Sequence, residues 1–254
     1  MLMTGDEIGA AREAGEIVIE PFCEANVNTA SYDVTLGPFC YRQVSPRRRP
    51  RPFTEYQQGR EIRIDPNYNP YDENHIAASW RLDRAVPAFT QAEQEGIDDD
   101  DFVIPIKPKE IILAHTLEFI GSVPFHNGIA ITTQMHSRSG SVRNCIDVCG
   151  SGGWGDHGFC ARWTMEVVNT SSYYVEPLVA GRRIAQISFF RTTPILRNYA
   201  VEGKYHAGMS LEQLRQSWHP GLMLPRSYLD REVGKPNPHR ALIRELIHKY
   251  PIEE

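Results

Sequence analysis

The chain is organised around Met135-His-Ser-Arg-Ser-Gly-Ser-Val-Arg143 and the segment that follows it as far as Glu166. Within six positions this stretch places two guanidinium groups, those of Arg138 and Arg143, beside the hydroxyl of Ser139. An arginine offers a rigid fork of donors that matches phosphate oxygens. The stretch therefore predicts a turn that binds a polyanion.

Two carboxylates follow the turn. Asp156 comes thirteen residues after Arg143, and Glu166 comes ten residues later, inside the apolar run Trp163-Thr-Met-Glu-Val-Val168. A carboxylate in an apolar β run is costly to bury in its ionised form, so it tends to acquire a cationic partner or a perturbed pKa. Such groups are candidates for acid/base catalysis. The alternative is that Glu166 is simply the outward residue of an alternating strand.

Length and charge limit the classes of protein to consider. The chain has 254 residues, which suits one domain or a core domain with additions. Its net charge of −5 gives no global indication of nucleic-acid or membrane binding. The N-terminus lacks the charged and apolar regions of a signal peptide, and no apolar run approaches the length of a membrane span.

The cysteines indicate a reducing compartment. There are five, an odd number, and none forms a C-x-x-C pair; they are Cys23, Cys40, Cys145, Cys149 and Cys160. This pattern is typical of a cytoplasmic protein without a disulfide framework. Cys145 and Cys149 are spaced C-x-x-x-C. No second close pair is present to complete a set of four metal ligands, so we expect no zinc site.

Short β-branched runs separated by proline or glycine dominate the centre of the chain. They are Phe102–Ile106, Glu110–Ile120, Asn127–Thr133 and Arg183–Phe190. Short strands at this spacing predict a β-sandwich or β-barrel.

Helices are expected at the two ends of the chain. Thr4 with Glu7 three residues later predicts a capped N-terminal helix. Residues 210–218 and 237–250 have helical patterns, with Ser210 and Asn237 as caps. We expect Trp218 and the apolar face formed by Leu242, Leu246 and Ile247 to pack on the core or on a partner subunit.

These motifs, in this order, resemble the dCTP deaminase family of the dUTPase-like superfamily. The family pattern has Arg-Ser-Ser-x-x-Arg, Asp-Pro-Gly-aromatic, Leu-Glu on a strand, and Pro-Gly-x-x-Ile-x-Gln-Leu. This chain has Ser137-Arg-Ser-Gly140, Asp156-His-Gly-Phe159, Met165-Glu-Val-Val-Asn169 and Gly181-Arg-Arg-Ile-Ala-Gln-Ile-Ser-Phe189. No gap is needed between Arg138 and Glu166. The N-terminal Ser31-Tyr-Asp-Val-Thr-Leu-Gly37 also fits.

The resemblance implies a fold and an assembly. The fold is mainly β, a distorted jelly-roll or β-barrel of the dUTPase-like type with an N-terminal helix and C-terminal helices. The family domain would cover residues 1–208, with an insertion at about 45–101, and residues 209–254 would form a helical extension. It also implies a homotrimer whose active sites are shared between neighbouring subunits.

The activity implied is hydrolytic deamination of dCTP to dUTP and ammonia. Many base deaminases activate water with zinc through an H-x-E…P-C-x-x-C signature, which is missing here. The family is zinc-independent, and Glu166 would shuttle the protons instead. Ser139 and Arg143 would position the water and set the charge of the carboxylate.

The resemblance also assigns substrate contacts. Arg138, Gly140 and Lys204 would hold the triphosphate, with Mg²⁺ bridging phosphate oxygens and no protein residue as a metal ligand. Tyr199 and Tyr205 match a C-terminal segment that closes over the nucleotide, although the glutamine that the family has after Lys-Tyr is absent.

The base and the sugar have their own contacts in the family. The hairpin Val148-Cys-Gly-Ser-Gly-Gly153, with Gly152 near its tip, would read the base edge through backbone groups. Asp156 would bind the 3′-hydroxyl. Phe159 would stack under the deoxyribose and exclude a 2′-hydroxyl.

Departures from the family pattern keep other functions open. Gly140 replaces the second serine of the turn, as in dUTPases, and Asp-His-Gly replaces Asp-Pro-Gly at Asp156. One alternative is a dUTP diphosphatase, or a bifunctional enzyme that releases dUMP. Another is a non-catalytic nucleotide-binding regulatory protein.

Overall fold

The computed structural model describes residues 1–44, 57–58, 61–62, 68–88, 96–123, 130–193, 199–205 and 210–250. The strands are β1 (Ile17–Glu20), β2 (Tyr32–Gln43), β3 (Gln57–Gln58), β4 (Glu61–Ile62), β5 (Trp80–Arg84), β6 (Val86–Pro87), β7 (Phe102–Ile106), β8 (Ile111–Ser122), β9 (Ala130–Ser137), β10 (Ile146–Val148), β11 (Trp154–Gly155), β12 (Cys160–Asn169), β13 (Glu176–Val179) and β14 (Arg183–Thr192). The helices are α1 (Gly5–Glu13), α2 (Glu73–Ser79), α3 (Ser139–Arg143), α4 (Tyr199–Glu202), α5 (Leu211–Ser217) and α6 (Arg240–Lys249). The mainly β fold is therefore confirmed.

The chain divides into two compact units. The larger comprises Met1–Pro50 and Ala77–Leu224, and the smaller comprises Arg51–Ile76 and Pro225–Glu254. In the smaller unit, β3 pairs with β4, and the hydroxyl of Tyr228 donates to Oε1 of Glu73 at 3.0 Å. All strands of the main sheet belong to the larger unit.

The main sheet is antiparallel and has nine strands. Its order is β10-β12-β8-β2-β14-β9-β11, with β1 on β8 and β5 on β2. The pairing of β5 with β2 makes Trp80–Arg84 a strand of this sheet, although it lies inside the predicted insertion. The basic stretch 46–52 lies outside the described residues.

Strand β12 shows how the alternation of side chains sets the core. Trp163, Met165 and Val167 are buried, whereas Thr164 and Glu166 between them are only half-buried. Successive side chains of a strand point to opposite faces. Glu166 is therefore on the face opposite the main core, as the simpler of its two sequence interpretations requires, and it remains accessible there.

The predicted N-terminal helix is confirmed together with its cap. The hydroxyl of Thr4 accepts from the backbone N–H of Glu7 at 3.3 Å, and the Glu7 carboxylate accepts from the backbone N–H of Thr4 at 2.8 Å. Reciprocal bonds of this kind satisfy donors that a helix N-terminus would otherwise leave without partners.

The first C-terminal helix packs as expected. Ser210 caps α5, and the ring of Trp218 lies 4.7 Å from the ring of His115. The guanidinium of Arg162 lies 5.3 Å from the Trp218 ring. Trp218 therefore covers the side of the sheet opposite the main core.

The second C-terminal helix differs from the prediction. Helix α6 begins at Arg240, and Asn237 does not cap it, because its side chain accepts from the backbone N–H of His239 in the preceding turn. The predicted apolar face stays exposed, with Leu242 at 51%, Leu246 at 44% and Ile247 at 70%. Packing of this face on a partner subunit stays a prediction. None of the helices in the described ranges is long and apolar enough to cross a membrane.

Candidate active site

The predicted anion-binding turn is held in place by its serines. The Ser137 hydroxyl accepts from the backbone N–H of Val148 and donates to the Asp147 carboxylate, both at 2.7 Å. The Ser141 hydroxyl donates to the carbonyl of Ile184 at 3.2 Å. These bonds fix α3 between β10 and β14, while Ser139, Gly140 and Arg143 remain exposed on it.

Arg138 lies at the start of this turn and faces a buried carboxylate. Its Nε is 3.2 Å from Oδ2 of Asp33, which Nη1 of Arg183 approaches to the same distance. The other oxygen of Asp33 accepts from Asn28 at 2.8 Å and from Gln186 at 3.2 Å. Two guanidinium groups on one carboxylate leave a net positive charge at this surface. Nothing local to either residue in the sequence indicates the pairing of Asp33 with Arg138.

A pocket of about 590 Å³ opens beside this ion pair. It is lined by Pro21, Cys23, Asn26, Thr35, Leu117, Glu118, Arg138, Gly181, Arg182 and Arg183. At its buried side the Glu118 carboxylate accepts from the backbone N–H of Thr35 at 3.0 Å and from its hydroxyl at 2.8 Å. Burial raises the pKa of Glu118 above its ordinary value, and the bonds from Thr35 oppose that rise.

Glu166 lies next to the glycine-rich hairpin. The backbone N–H of Cys149 donates to the Glu166 carbonyl at 2.8 Å, and that of Gly152 donates to the Cys149 carbonyl at 2.6 Å. A Cβ built on Gly152 would lie 3.7 Å from Oε2 of Glu166. The carboxylate is thus next to the predicted base-reading segment.

The predicted sugar contacts also come together. The Phe159 ring packs edge-on against the Tyr199 ring at 5.2 Å and against the Trp163 ring at 4.9 Å. The backbone N–H of Tyr199 donates to the carbonyl of His157 at 3.0 Å. Asp156 is exposed beside them. The C-terminal segment is therefore docked on the loop that follows β11.

Local contacts account for one departure from the family pattern, at His157, and for one glycine that matches it, Gly203. The side chain of His157, which replaces the proline, is buried, and its Nδ1 accepts from the backbone N–H of Ile131 at 3.3 Å. Gly203, before exposed Lys204 and half-buried Tyr205, has no room for a side chain, because a Cβ there would lie 2.2 Å from the Tyr199 ring. Sequence reasoning missed both contacts.

The site residues form three groups rather than one cluster. The groups are the turn from Arg138 to Arg143, Gly152 with Glu166, and Asp156 with Phe159 and Tyr199. Three residues separate Gly152 from Asp156, so these two residues can be at most about 14 Å apart. In contrast, no hydrogen bond or ion pair joins Ser139 or Arg143 to Glu166 among the residues that the structure describes.

Comparison with known proteins identifies the family. A family model described as dCTP deaminase-like matches residues 2–192. The chain belongs to this family, which confirms the resemblance seen in the sequence and the expectation of a hydrolytic enzyme. Among its relatives is a protein of Nanoarchaeum equitans named dCTP deaminase, dUMP-forming, 28% identical over 214 residues that cover 81% of this chain and 92% of the relative. A protein of the same name from Methanopyrus kandleri is 30% identical over 211 residues, covering 81% and 90%.

Solved structures with a similar arrangement include two kinds of enzyme. The 2′-deoxycytidine 5′-triphosphate deaminase of Agrobacterium tumefaciens aligns with a TM-score of 0.46 at 13% identity, covering 74% of this chain and 47% of that one. The native EIAV dUTPase aligns with a TM-score of 0.30 at 17% identity, covering 43% and 89%.

Proposed function

We propose that this protein deaminates dCTP and then cleaves the product, releasing dUMP, ammonia and pyrophosphate. The observation that carries the proposal is the Glu166 carboxylate, accessible on β12 and next to Gly152 of the hairpin. The naming of two relatives as dUMP-forming favours this outcome over the dUTP product that the sequence predicted first. The overall reaction consumes two waters.

The first water attacks C4 of the cytosine. Glu166 takes a proton from this water as the C4–O bond forms and gives it to the ring nitrogen N3. It then moves the second proton, from the new C4 hydroxyl, to the amino group. The C4–N bond then breaks, ammonia leaves and uracil remains. Backbone groups of the hairpin hold the base edge, which agrees with the small residues at Gly150, Gly152 and Gly153. In this proposal the protons move without zinc.

Ser139 and Arg143 are proposed to orient that water from a neighbouring subunit. Both are exposed on α3, and neither bonds Glu166 within the chain over the described ranges. A closed trimer would bring α3 of one copy to the hairpin of the next. The exposed positions of these two residues support a shared site.

The sugar is proposed to lie on Phe159, with its 3′-hydroxyl on Asp156. Tyr199 packs edge-on against Phe159. The C-terminal segment would therefore close at the same time as the aromatic surface under the sugar forms. The flat ring leaves no polar partner for a 2′-hydroxyl.

The triphosphate is proposed to bind Arg138, Gly140 and Lys204, with Tyr205 closing over it. Mg²⁺ would arrive with the phosphates. The carboxylate nearest Arg138 is Asp33, which is 1% exposed and engaged by two arginines, so the ion would be held chiefly by phosphate oxygens and water. In the second step a water attacks the α-phosphorus, the bond to the α–β bridging oxygen breaks, and pyrophosphate leaves.

One experiment separates the possible outcomes. The intact protein is incubated with dCTP and, separately, with dUTP, and ammonia and pyrophosphate are measured in each case. Equal amounts of both products from dCTP support the proposal. Ammonia alone indicates a deaminase that stops at dUTP, pyrophosphate from dUTP alone indicates a diphosphatase, and neither product indicates a nucleotide-binding regulator.

A further inference from the structure

Trp154 is a large aromatic residue that the proposed substrate contacts leave without a role. It is 57% exposed and lies two positions before Asp156. Residues two positions apart in an extended chain point to the same side. Trp154 therefore lies beside the carboxylate that is proposed to bind the 3′-hydroxyl of the sugar.

The backbone that carries Trp154 is fixed on β9. The backbone N–H of Met135 donates to the carbonyl of Gly153 at 2.7 Å. A Cβ on Gly153 would lie 2.0 Å from the Met135 carbonyl oxygen, and one on Gly155 would lie 2.2 Å from Oγ1 of Thr133. The two glycines therefore allow β11 to lie directly against β9. The side chain of Trp154 thus extends from a backbone that the sheet holds in place.

Two contacts orient the indole ring on this backbone. Its Nε1–H donates to Oδ1 of Asp156 at 3.2 Å. The ring lies 6.4 Å from the Phe190 ring, with an angle of 30° between the two planes. Among the residues that the structure describes, no other hydrogen bond reaches the Asp156 carboxylate. Because an exposed side chain otherwise samples several rotamers, the indole determines the direction of this carboxylate.

We propose that Trp154 is a positioning residue for the sugar, whose indole N–H holds the Asp156 carboxylate so that Oδ2 accepts the 3′-hydroxyl of the deoxyribose. The inference rests on the sugar contact proposed for Asp156. The indole engages Oδ1, which leaves Oδ2 for the hydroxyl. A carboxylate that is oriented before the ligand arrives loses less conformational entropy on binding. Trp154 thereby favours nucleotides with a 3′-hydroxyl, whereas a 2′,3′-dideoxynucleotide gains nothing from it.

The test compares dCTP with 2′,3′-dideoxy-CTP, which lacks the 3′-hydroxyl. Trp154→Phe keeps an aromatic ring and removes the N–H donor. Trp154→His keeps a donor, because imidazole Nε2 and indole Nε1 are the same number of bonds from the backbone. Calorimetric titration of the full chain in a Glu166→Gln background gives the Kd of each nucleotide.

The expected result is a change for one nucleotide alone. In Trp154→Phe the Kd for dCTP should rise about three- to tenfold, the usual effect of one lost hydrogen bond. In Trp154→His it should stay close to that of the background protein. The Kd for 2′,3′-dideoxy-CTP should be the same in all three proteins. A purely structural role of Trp154 would instead change both Kd values by the same factor.

Trp80→Phe is the matched control, since it makes the same substitution at a half-buried tryptophan on β5 and should alter neither Kd. The proposal is overturned if Trp154→Phe changes both Kd values equally or changes neither, or if Trp154→His binds dCTP as weakly as Trp154→Phe.

Asp156→Ala, titrated in parallel, reports on the sugar contact itself. If this variant loses the preference for dCTP while Trp154→Phe keeps it, only the role of the indole is refuted. If Asp156→Ala keeps the preference, the sugar contact is refuted and the role of Trp154 with it. Ammonia release from dCTP by the wild-type protein tests the proposed reaction separately, because the Kd values do not depend on turnover.

Discussion

The Nε atom of Arg138 lies 3.2 Å from Oδ2 of Asp33, joining a half-exposed guanidinium to a carboxylate that is 1% exposed. Because Asp33 is also held by Arg183, Asn28 and Gln186, it acts as a rigid anchor. Arg138 is thereby oriented before any ligand arrives. Its Nη1 also donates to the Arg183 carbonyl at 3.5 Å, so the proposed phosphate contacts would use its other N–H groups.

Arg138→Ala should weaken dCTP binding while leaving the fold intact. The loss of a charge-assisted contact costs roughly 1.5–3 kcal/mol, which is a rise in Kd of about 10- to 150-fold. Asp33 keeps Arg183 as its cation, so unfolding should change little. Calorimetric titration of dCTP, in a Glu166→Gln background to prevent turnover, measures the effect. Arg191→Ala removes the Arg191–Glu16 ion pair instead and serves as the control; equal losses in the two variants would contradict the placement of Arg138.

Glu166→Gln should abolish ammonia release and retain nucleotide binding. An amide of the same shape fills the space beside Gly152 but cannot shuttle protons. The measurement is ammonia release over a long incubation, together with the Kd for dCTP. Glu176→Gln, at a half-buried carboxylate on β13, is a matched change away from the site. Wild-type turnover by Glu166→Gln would remove this carboxylate from the mechanism.

How much could be predicted from the sequence depends on how local each feature is. The alternation around Met165 and the capping box at Thr4 are local, and both were predicted correctly. For Glu166 the pattern allowed two interpretations, because an outward residue of an alternating strand is also an accessible one. The structure shows the outward position on β12, with Gly152 of the hairpin next to the carboxylate, and the catalytic role of Glu166 stays a prediction.

Long-range contacts lay beyond local patterns. Asp33 and Arg138 are 105 positions apart, and only the strand order, with β14 between β2 and β9, brings them together. The left-handed backbone at Cys149 has no sequence signal, because cysteine is not a residue that favours this conformation. The apolar face of α6 at Leu242 shows the same limit, since apolar spacing identifies the face of the helix but not what it contacts, and in the structure this face is exposed.

The stability of the fold should fall as the pH is lowered from 7 to 5, because of His115. Burial lowers the pKa of this imidazole from 6.5 to about 4. In the neutral ring, Nδ1–H donates to the Thr116 carbonyl at 2.8 Å and Nε2 accepts from the backbone N–H of Phe39 at 3.4 Å. The unfolded chain takes up this proton below pH 6.5 and the folded chain does not until about pH 4, so stability is lost between these values.

Between pH 7 and pH 5, the protonation of His115 in the unfolded chain should lower the free energy of unfolding by roughly 2 kcal/mol. This decrease is measured as the difference in the free energy of unfolding by urea at pH 7 and pH 5. His115→Gln removes the titrating group. The free energy of unfolding of this variant should therefore fall less between pH 7 and pH 5 than that of wild type. An identical loss in both proteins would show that other groups dominate.

Phe159→Ala should narrow the preference for dCTP over CTP. A 2′-hydroxyl pressed on the ring loses its water without compensation, at a cost of roughly 1–3 kcal/mol. The measurement is the ratio of kcat/KM for the two nucleotides. Because Phe159 also packs on Trp163, part of the effect will be a loss of stability, which would lower both activities in proportion. An unchanged ratio in a folded variant would refute a role in sugar selection.

Mixing two inactive variants should restore activity if the site is shared between subunits. Arg143 is exposed on α3 and forms no bond to Glu166 within the described chain, so we expect the two residues of a working site to come from different copies. Arg143→Ala and Glu166→Gln should each be inactive alone. After unfolding and refolding together in equal amounts, random trimers would contain intact sites at roughly one quarter of the positions.

The control for this experiment is the double variant Arg143→Ala/Glu166→Gln refolded with wild type, in which both changes lie in one chain. It should also retain about a quarter of the sites when the residues come from different copies, but about half when they come from the same copy. Ammonia release from dCTP measures both mixtures, and the proportion of mixed assemblies is verified by mass spectrometry. If the two single variants restore nothing on mixing and the double variant leaves half of the wild-type activity, Glu166 and Arg143 act within one chain, and the exposed face of α3 has another purpose.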